Sequence, residues 1–456
     1  MRRIDQGWFA KDRIDMHSLE IHNFGPIKNA HISVSRFLVL IGPQSSGKST
    51  IAKLIYFFLH LRDEVTAFVL ETAESGKTAN SKRDLGKKLR NRFVEFFGPT
   101  PQSLDVKIEY HYSQQNFIVV SLDKEHHKYT NIVFSPAMWS QISALILEVD
   151  KEVRSRPTKP GFGSAITKIS AGHDRSILLD KIRTKCNKIF AFDKELFFIP
   201  AGRSMLSTLS DQIQYIHPHQ LDYPMRQFVE AVNGSRAFFA KSMNEIVKER
   251  TALTTEKLFF GAIRKAQGYV KKILNGEYRY DKEGGKIYLS DSTYTKMSYA
   301  SSGQQEAVWI LLSLFLVVLD KMESLVFVEE PEAHLFPSAQ KDVIEYIVFI
   351  LNEIGCDFVL TTHSPYILSS INNLTYAYEL GSRGKNEDVQ AVIPKEQWLD
   401  PSVVGGYFVN QGQAATLLTE GSSELQAELL DSASEEVNAQ FESLLEIERS
   451  LSKNAK

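Results

Sequence analysis

An apolar run, VSRFLVLI (34–41), empties into the glycine-rich loop GPQSSGKST (42–50) and then into TIAKLIYFFLHL (50–61), whose apolar spacing suits a helix. The junction fits G-x-x-x-x-G-K-[ST] on Gly42, Gly47, Lys48 and Ser49, with a buried strand before it and a helix N-terminus after it. Gly42 and Gly47 let the chain close tightly, so that backbone N–H groups converge on an anion. Gly42, Pro43, Gln44, Ser45, Ser46, Gly47, Lys48, Ser49 and Thr50 are therefore the candidate phosphate cradle of a nucleoside triphosphate. In it Lys48 is placed on the β- and γ-phosphates and the Ser49 hydroxyl on Mg2+.

Two further apolar runs end in chemistry. LVFV (325–328) delivers Glu329 and Glu330, and CDFVLTT (356–362) delivers His363. A buried strand presents such residues at its carboxyl edge, where ligands bind in open α/β sheets. Period-two geometry separates the two carboxylates, so Glu329 is assigned to the Mg2+ shell and Glu330 to the attacking water. An imidazole at position 363 is placed to hydrogen-bond a γ-phosphate. A solvated acidic turn and a structural histidine are the alternative readings of these residues taken singly. The strands ending at Ile41, Glu330 and Thr362 belong in one sheet, which makes the sequence from about Leu61 to Met297 an insertion.

Before the carboxylate strand stands SSGQQE (301–306), opening the apolar stretch AVWILLSLFLVVL. Serines at a helix N-terminus favour an anion; they also make an ordinary N-cap, and both readings stand on the residues alone. Taken in order, FGPIKNAHISV, the loop at 42–50, SSGQQE, EEPEAHLFP and TTHSP resemble the ABC-type ATPase heads grouped with RecF, SMC and Rad50 proteins. The likeness extends to OLD-like ATPases and to the ATPase subunits of two-gene antiphage systems such as Septu. The resemblance implies an α/β fold: an ABC-type P-loop ATPase head, a mixed sheet flanked by helices, carrying a large α+β and helical insertion and a C-terminal helical segment. It implies hydrolysis of ATP with Mg2+, with Lys48, Glu330 and His363 catalytic. It also implies a homodimer or higher homo-oligomer, in which Ser301, Ser302, Gly303 and Gln304 reach the nucleotide held by another copy. A separate effector subunit such as a nuclease, in antiphage defence, is the implied output. A RecF-like repair or recombination ATPase is the alternative, and a transporter's nucleotide-binding subunit fits the large insertion and EEPEAHLFP less well.

The pattern is departed from in places. Glu329 stands where many relatives have aspartate, and Gln44 where they often have asparagine. No glutamine is a clear metal sensor. LFFIPAGRS makes Arg203 a candidate phosphate or partner contact and Gln212 a weaker one, with a strand-capping salt bridge as the alternative for Arg203.

The resulting division is 1–60 for the N-terminal part of the core, 61–195 for an α/β insertion, 196–297 for a helical lobe and hairpin, 298–400 for the C-terminal part of the core and 401–456 for the helical segment. A formal charge of −2 excludes a globally basic nucleic-acid binder. A local basic face remains: KTANSKRDLGKKLRNRF (77–93), with Arg154, Arg156 and Lys159, is a candidate DNA or RNA contact or else a solvated surface. His126, His127, His217 and His219 lack metal-ligand spacing. Two cysteines rule out a disulfide framework. The longest apolar stretch, Val308 to Leu319, falls short of the roughly 18 residues that span a bilayer and reads as a buried helix, and the N-terminus lacks an apolar signal core, so no membrane partner and a cytoplasmic location are expected. A Toprim nuclease appendage is not expected either, since Glu420 is followed by only 36 residues, with Asp431 the one aspartate among them.

Overall fold

Alternating burial along the β-rich runs produces a sheet with a hydrophobic layer on each side. The computed structural model describes residues 17–76, 78–98, 105–122, 130–155, 165–208, 221–253, 260–290, 292–418, 424–426 and 439–445. Its strands are β1 (Ser18–Phe24), β2 (Ile27–Ser33), β3 (Phe37–Ile41), β4 (Lys107–His111), β5 (Phe117–Leu122), β6 (Thr130–Phe134), β7 (Glu195–Ile199), β8 (Glu277–Asp281), β9 (Gly284–Tyr288), β10 (Tyr294–Lys296), β11 (Ser324–Glu329), β12 (Asp357–Thr362), β13 (Val404–Asn410) and β14 (Gln413–Thr416). The main helices are α1 (Lys48–Ser75), α2 (Ser81–Phe97), α3 (Pro136–Ser155), α4 (Ala165–Ile189), α5 (Ser204–Thr208), α6 (Tyr223–Ser235), α7 (Met243–Leu253), α8 (Phe260–Leu274), α9 (Ser302–Asp320), α10 (Pro337–Ile354) and α11 (Pro365–Leu380).

Among the described residues, eleven strands form one mixed sheet in the order β6-β5-β4-β1-β2-β14-β13-β3-β12-β11-β7, and β10-β9-β8 form a small second sheet. The block β13, β3, β12, β11, β7 is parallel, with Thr362 opposite Ile41, Glu329 opposite Thr361 and Val328 opposite Ile199. That register brings the loop after Ile41, the two glutamates and His363 to one carboxyl edge. Successive residues of β3 point to opposite faces: Leu38 and Leu40 join the core that includes α1, α2 and α3, whereas Phe37, Val39 and Ile41 join the core that includes α8, α9, α10 and α11. The mixed sheet flanked by helices is the fold expected from the sequence. Strands β4 to β6, within the segment read as an insertion, extend this same sheet by antiparallel pairing of β4 with β1. Lys53 of α1 holds Asp222, the N-cap of α6, at 2.5 Å, which ties the helical lobe to the helix behind the glycine-rich loop.

Two expectations are corrected. Residues 401–456 are not a helical segment: after one 3-10 turn at Pro401–Val403, β13 inserts beside β3 and turns back as β14, and α-helix appears among the described residues there only at 439–445, where Phe441 and Leu444 are exposed. The apolar segment near residue 310 is longer than expected, because α9 is by length and composition able to cross a membrane. Two thirds of it is buried between the sheet and neighbouring helices, as a core helix is. The basic run at 77–93 is partly spent within the fold: α2 turns Leu85, Leu89, Phe93 and Phe96 inward, Lys88 pairs with Glu71 at 3.1 Å, and Arg92 pairs with Glu64 and Glu95, each at 2.6 Å. Lys77, Arg156 and Lys159 lie outside the described residues, as do Gln212 and the histidines at 126, 127, 217 and 219.

Candidate functional site

The site starts from a helix end left open. Gly47 precedes α1 with φ 109°, no side chain caps the helix, and no acidic residue stands in its first turn. A Cβ at position 47 would lie 2.3 Å from Ile27 Cδ1, so glycine is required there both by conformation and by space. The first-turn N–H groups of α1 are thus free for an anion, and the helix dipole favours one. Ser49 and Thr50 lie half-buried on that turn, while Pro43, Gln44 and Ser45 are exposed on the loop. A cleft of about 470 Å³ runs beside the loop, lined by Pro26, Lys28, the loop residues Pro43 to Ser46 and the β13–β14 turn at Asn410 to Gly412.

Lys48 is buried, and its Nζ donates to the carbonyls of Gly42 at 2.9 Å and Pro43 at 2.7 Å. It also lies 3.3 Å from His363 Nδ1, and His363 Nε2 lies 3.3 Å from Glu330 Oε1. Lysine, imidazole and carboxylate from three separate segments therefore form one chain across the sheet edge. Burial pulls the Lys48 pKa down to about 8, against the opposing fields of Glu330 and Glu332. Glu330 itself sits at φ 45°, a backbone conformation that non-glycine residues seldom adopt, with its N–H bonded to Thr361 O at 2.8 Å.

Glu329 is buried beside it, its Oε2 accepting from Ala201 N–H at 3.1 Å. Four buried polar atoms at this edge have no hydrogen-bond partner among the described residues: Ser46 Oγ, Glu329 Oε1, Glu332 Oε2 and Thr361 Oγ1. Buried polar atoms are seldom orphaned, and hydroxyls with carboxylates are the groups that a polyanion and its divalent cation would satisfy. Among the described residues no three His, Cys, Asp or Glu side chains are grouped to hold a metal by themselves. Such a cation would draw most of its ligands from phosphate oxygen and water, with Ser49 and Glu329 as protein contacts.

Around α9 the arrangement differs. Ser301 caps the helix, accepting from Gln304 N–H at 3.3 Å, while Gln304 Oε1 accepts from Ser301 N–H at 3.2 Å, so the N-cap reading is realised. Gln304 donates its amide to Leu274 O at 2.8 Å, so within the chain that side chain is held by the end of α8. Ser301 and Ser302 remain exposed. Gly303 lies against the turn that follows Glu330, where an added Cβ would be 2.8 Å from His334 O.

Arg203 requires a correction. It is wholly buried rather than open to a phosphate, and it makes an internal ion pair, its Nε 3.3 Å from Glu306 Oε2. Its Nη1 donates to Pro200 O and Glu329 O, both at 2.6 Å, its Nη2 to Glu330 O at 2.9 Å, and its Nε to Glu306 O at 3.2 Å. Sequence reasoning also passed over Glu332, whose Oε1 accepts from the Thr362 hydroxyl at 2.7 Å and the His363 N–H at 2.6 Å. Burial pushes its carboxyl pKa up. Its place two residues after Glu330 was the available signal.

The sequence matches the profile of the AAA ATPase domain over residues 15–368. No curated protein matches it. Among solved structures it is similar to an SMC head bound to the C-winged helix domain of ScpA, at 13% identity over 88% of this chain and 95% of that one, with a TM-score of 0.39. It is also similar to the SMC head domain from Thermotoga maritima, at 12% identity over 88% and 98% of the two chains, with a TM-score of 0.35. A dimeric ATP-binding cassette bound to ADP and Pi aligns at 10% identity over 89% of this chain and all of that one, with a TM-score of 0.28. At such scores these likenesses place no residue.

Proposed function

The chain belongs to the AAA ATPase domain family, and from that premise we propose that it binds and hydrolyses ATP at the edge where Lys48, His363 and Glu330 meet. The observation that carries this reading is the junction of an uncapped, glycine-preceded helix N-terminus with that three-residue chain and with orphaned polar atoms on both sides of it. The free N–H groups of α1 bind the phosphates. Lys48 exchanges the carbonyls of Gly42 and Pro43 for the β- and γ-phosphate oxygens. Glu330 takes the proton from the attacking water, and His363, held between Glu330 and Lys48, donates to the γ-phosphate as its charge shifts. Ser49 and Glu329 are the residues that would hold Mg2+, which would supply charge neutralisation to the phosphates.

In this reading two copies close head to tail, with Ser301, Ser302 and Gly303 of one facing the nucleotide of the other. Support comes from the exposed serines and from two large apolar side chains beside them: Tyr299 is 80% exposed, and Phe336, on the turn that meets Gly303, is 77% exposed. The order of motifs, similar to OLD-like and Septu ATPases, supports a cytoplasmic role in antiphage defence, in which closure controls a separate nuclease-like effector.

The test combines turnover with sizing by light scattering. Lys48→Ala loses ATP binding. Glu330→Gln keeps it, accumulates an ATP-dependent dimer, and loses about two to four orders of magnitude in turnover. Wild-type rates in both variants would falsify the assignment.

A further inference from the structure

Arg203 and Glu306 are both buried, and neither has a part in the chemistry above. Glu306 lies on α9 three residues beyond Gly303, and its two carboxylate oxygens accept from the backbone N–H groups of Arg203 at 3.1 Å and Ser204 at 3.0 Å. The same short segment is fastened to α9 again, by Ser207 Oγ donating to Gln305 O at 3.0 Å and by Trp309 Nε1 donating to Ser207 Oγ at 2.9 Å. On its other side it is fastened to the end of β11, through Ala201 N–H on Glu329 Oε2 and through the Arg203 guanidinium on the carbonyls of Glu329 and Glu330.

Consider what this does to Glu330. Its backbone stands at φ 45°, which it would not hold unaided. The N–H is fixed by Thr361 O, and the carbonyl is fixed by Arg203 Nη2. The peptide groups on either side of the carboxylate are thus clamped, one by β12 and one by a guanidinium whose own anchor is α9. A buried ion pair contributes little stability by itself, because desolvation offsets the attraction. Here, however, the guanidinium donates to three backbone carbonyls around the carboxylate strand as well as to Glu306 O, a fan of bonds that the single ammonium of lysine cannot reproduce.

We propose that Arg203 is a positioning residue that aims Glu330 at the attacking water and, through Glu306, makes that aim depend on the first turns of α9. A shift of α9, such as engagement of Ser301 and Ser302 would cause, is then transmitted to the carboxylate through two side chains. This rests on the reading of the site as an ATPase.

The experiment is a double-mutant cycle on the full chain, with Arg203→Lys, Glu330→Gln and both together. It is followed by steady-state and single-turnover hydrolysis, by binding of ATP without Mg2+, and by thermal melting. Arg203→Lys is expected to lower kcat by about tenfold or more, with KM and ATP affinity changed by less than about threefold. In the Glu330→Gln background it should add nothing, because the group it positions is already gone. An equal loss in both backgrounds would show a purely structural role and overturn the proposal, as would an unchanged kcat. Should Arg203→Lys fail to melt cooperatively, Glu306→Gln takes its place in the same cycle with the same expected pattern. Absence of turnover in the wild type, or a Glu330→Gln protein as fast as the wild type, would sink the site reading and this proposal together. Normal wild-type behaviour with additive variants would sink this proposal alone.

Discussion

Lys48 shows how one side chain can make binding depend on pH. With burial holding its pKa at about 8, the ammonium is charged below that value and neutral above it, while phosphate requires it charged. Nucleotide binding must therefore take up a proton at higher pH, and affinity should fall by up to about tenfold per pH unit above 8. Titration of a fluorescent ATP analogue at pH 7, 8 and 9 measures this, and a flat profile would contradict it. The residues of this site that stand in contiguous motifs, from Gly42 to Thr50 and at Glu329, Glu330 and His363, were readable from type and spacing. Glu306 and Glu332 were not, since each acts by accepting hydrogen bonds from residues far along the chain: Glu306 from Arg203 and Ser204, Glu332 from Thr362 and His363. Arg203 was visible as an unusual arginine, yet its burial, and hence its part, depended on what lay above it.

Two helix N-termini in the molecule are built for different ends. α1 leaves its first turn bare, whereas α9 satisfies its own through the Ser301–Gln304 capping box, so that a phosphate meeting α9 would compete with bonds already made. The close seat of α9 on the turn after Glu330 gives a direct test. In Gly303→Ala the new methyl would lie 2.8 Å from the His334 carbonyl, and a backbone atom yields poorly. The gain in helix propensity should be outweighed, with a net loss of about 1–3 kcal/mol in urea denaturation and a lower turnover. Unchanged stability would mean that the turn moves freely. The β13–β14 hairpin went unforeseen for a related reason. VGGYFVN carries a glycine pair, which weakens any strand pattern, and it becomes a strand by lying parallel to the buried β3.

Distant segments converge on His17. Its Nδ1 meets the Tyr110 hydroxyl of β4 at 3.1 Å and its Nε2 meets Ala191 O at 3.2 Å, just ahead of β1. Complete burial lowers its pKa from 6.5 to about 4, opposed by the Ala191 carbonyl. The folded state consequently binds fewer protons than the unfolded chain between those values, and stability rises with pH across that window. On acidification from pH 6.5 to 4, up to about 3 kcal/mol should be lost through this group. Urea midpoints of the wild type and His17→Gln across that range check it: the variant's profile should be shallower, and parallel profiles would refute the assignment. The local order of the chain was enough to specify a glycine-rich strand-to-helix turn and acidic and histidine-bearing strand ends, because each follows from nearest-neighbour periodicity and from residues a few positions apart; the mixed sheet was implied only by the resemblance of the motif order to a known family. Which strands extend that sheet at 107–134 and 404–416, which cations are spent in ion pairs, and whether an arginine faces water or a core were set by long-range packing. Those outcomes depend on burial and on partners up to hundreds of residues away, and no local pattern encodes either.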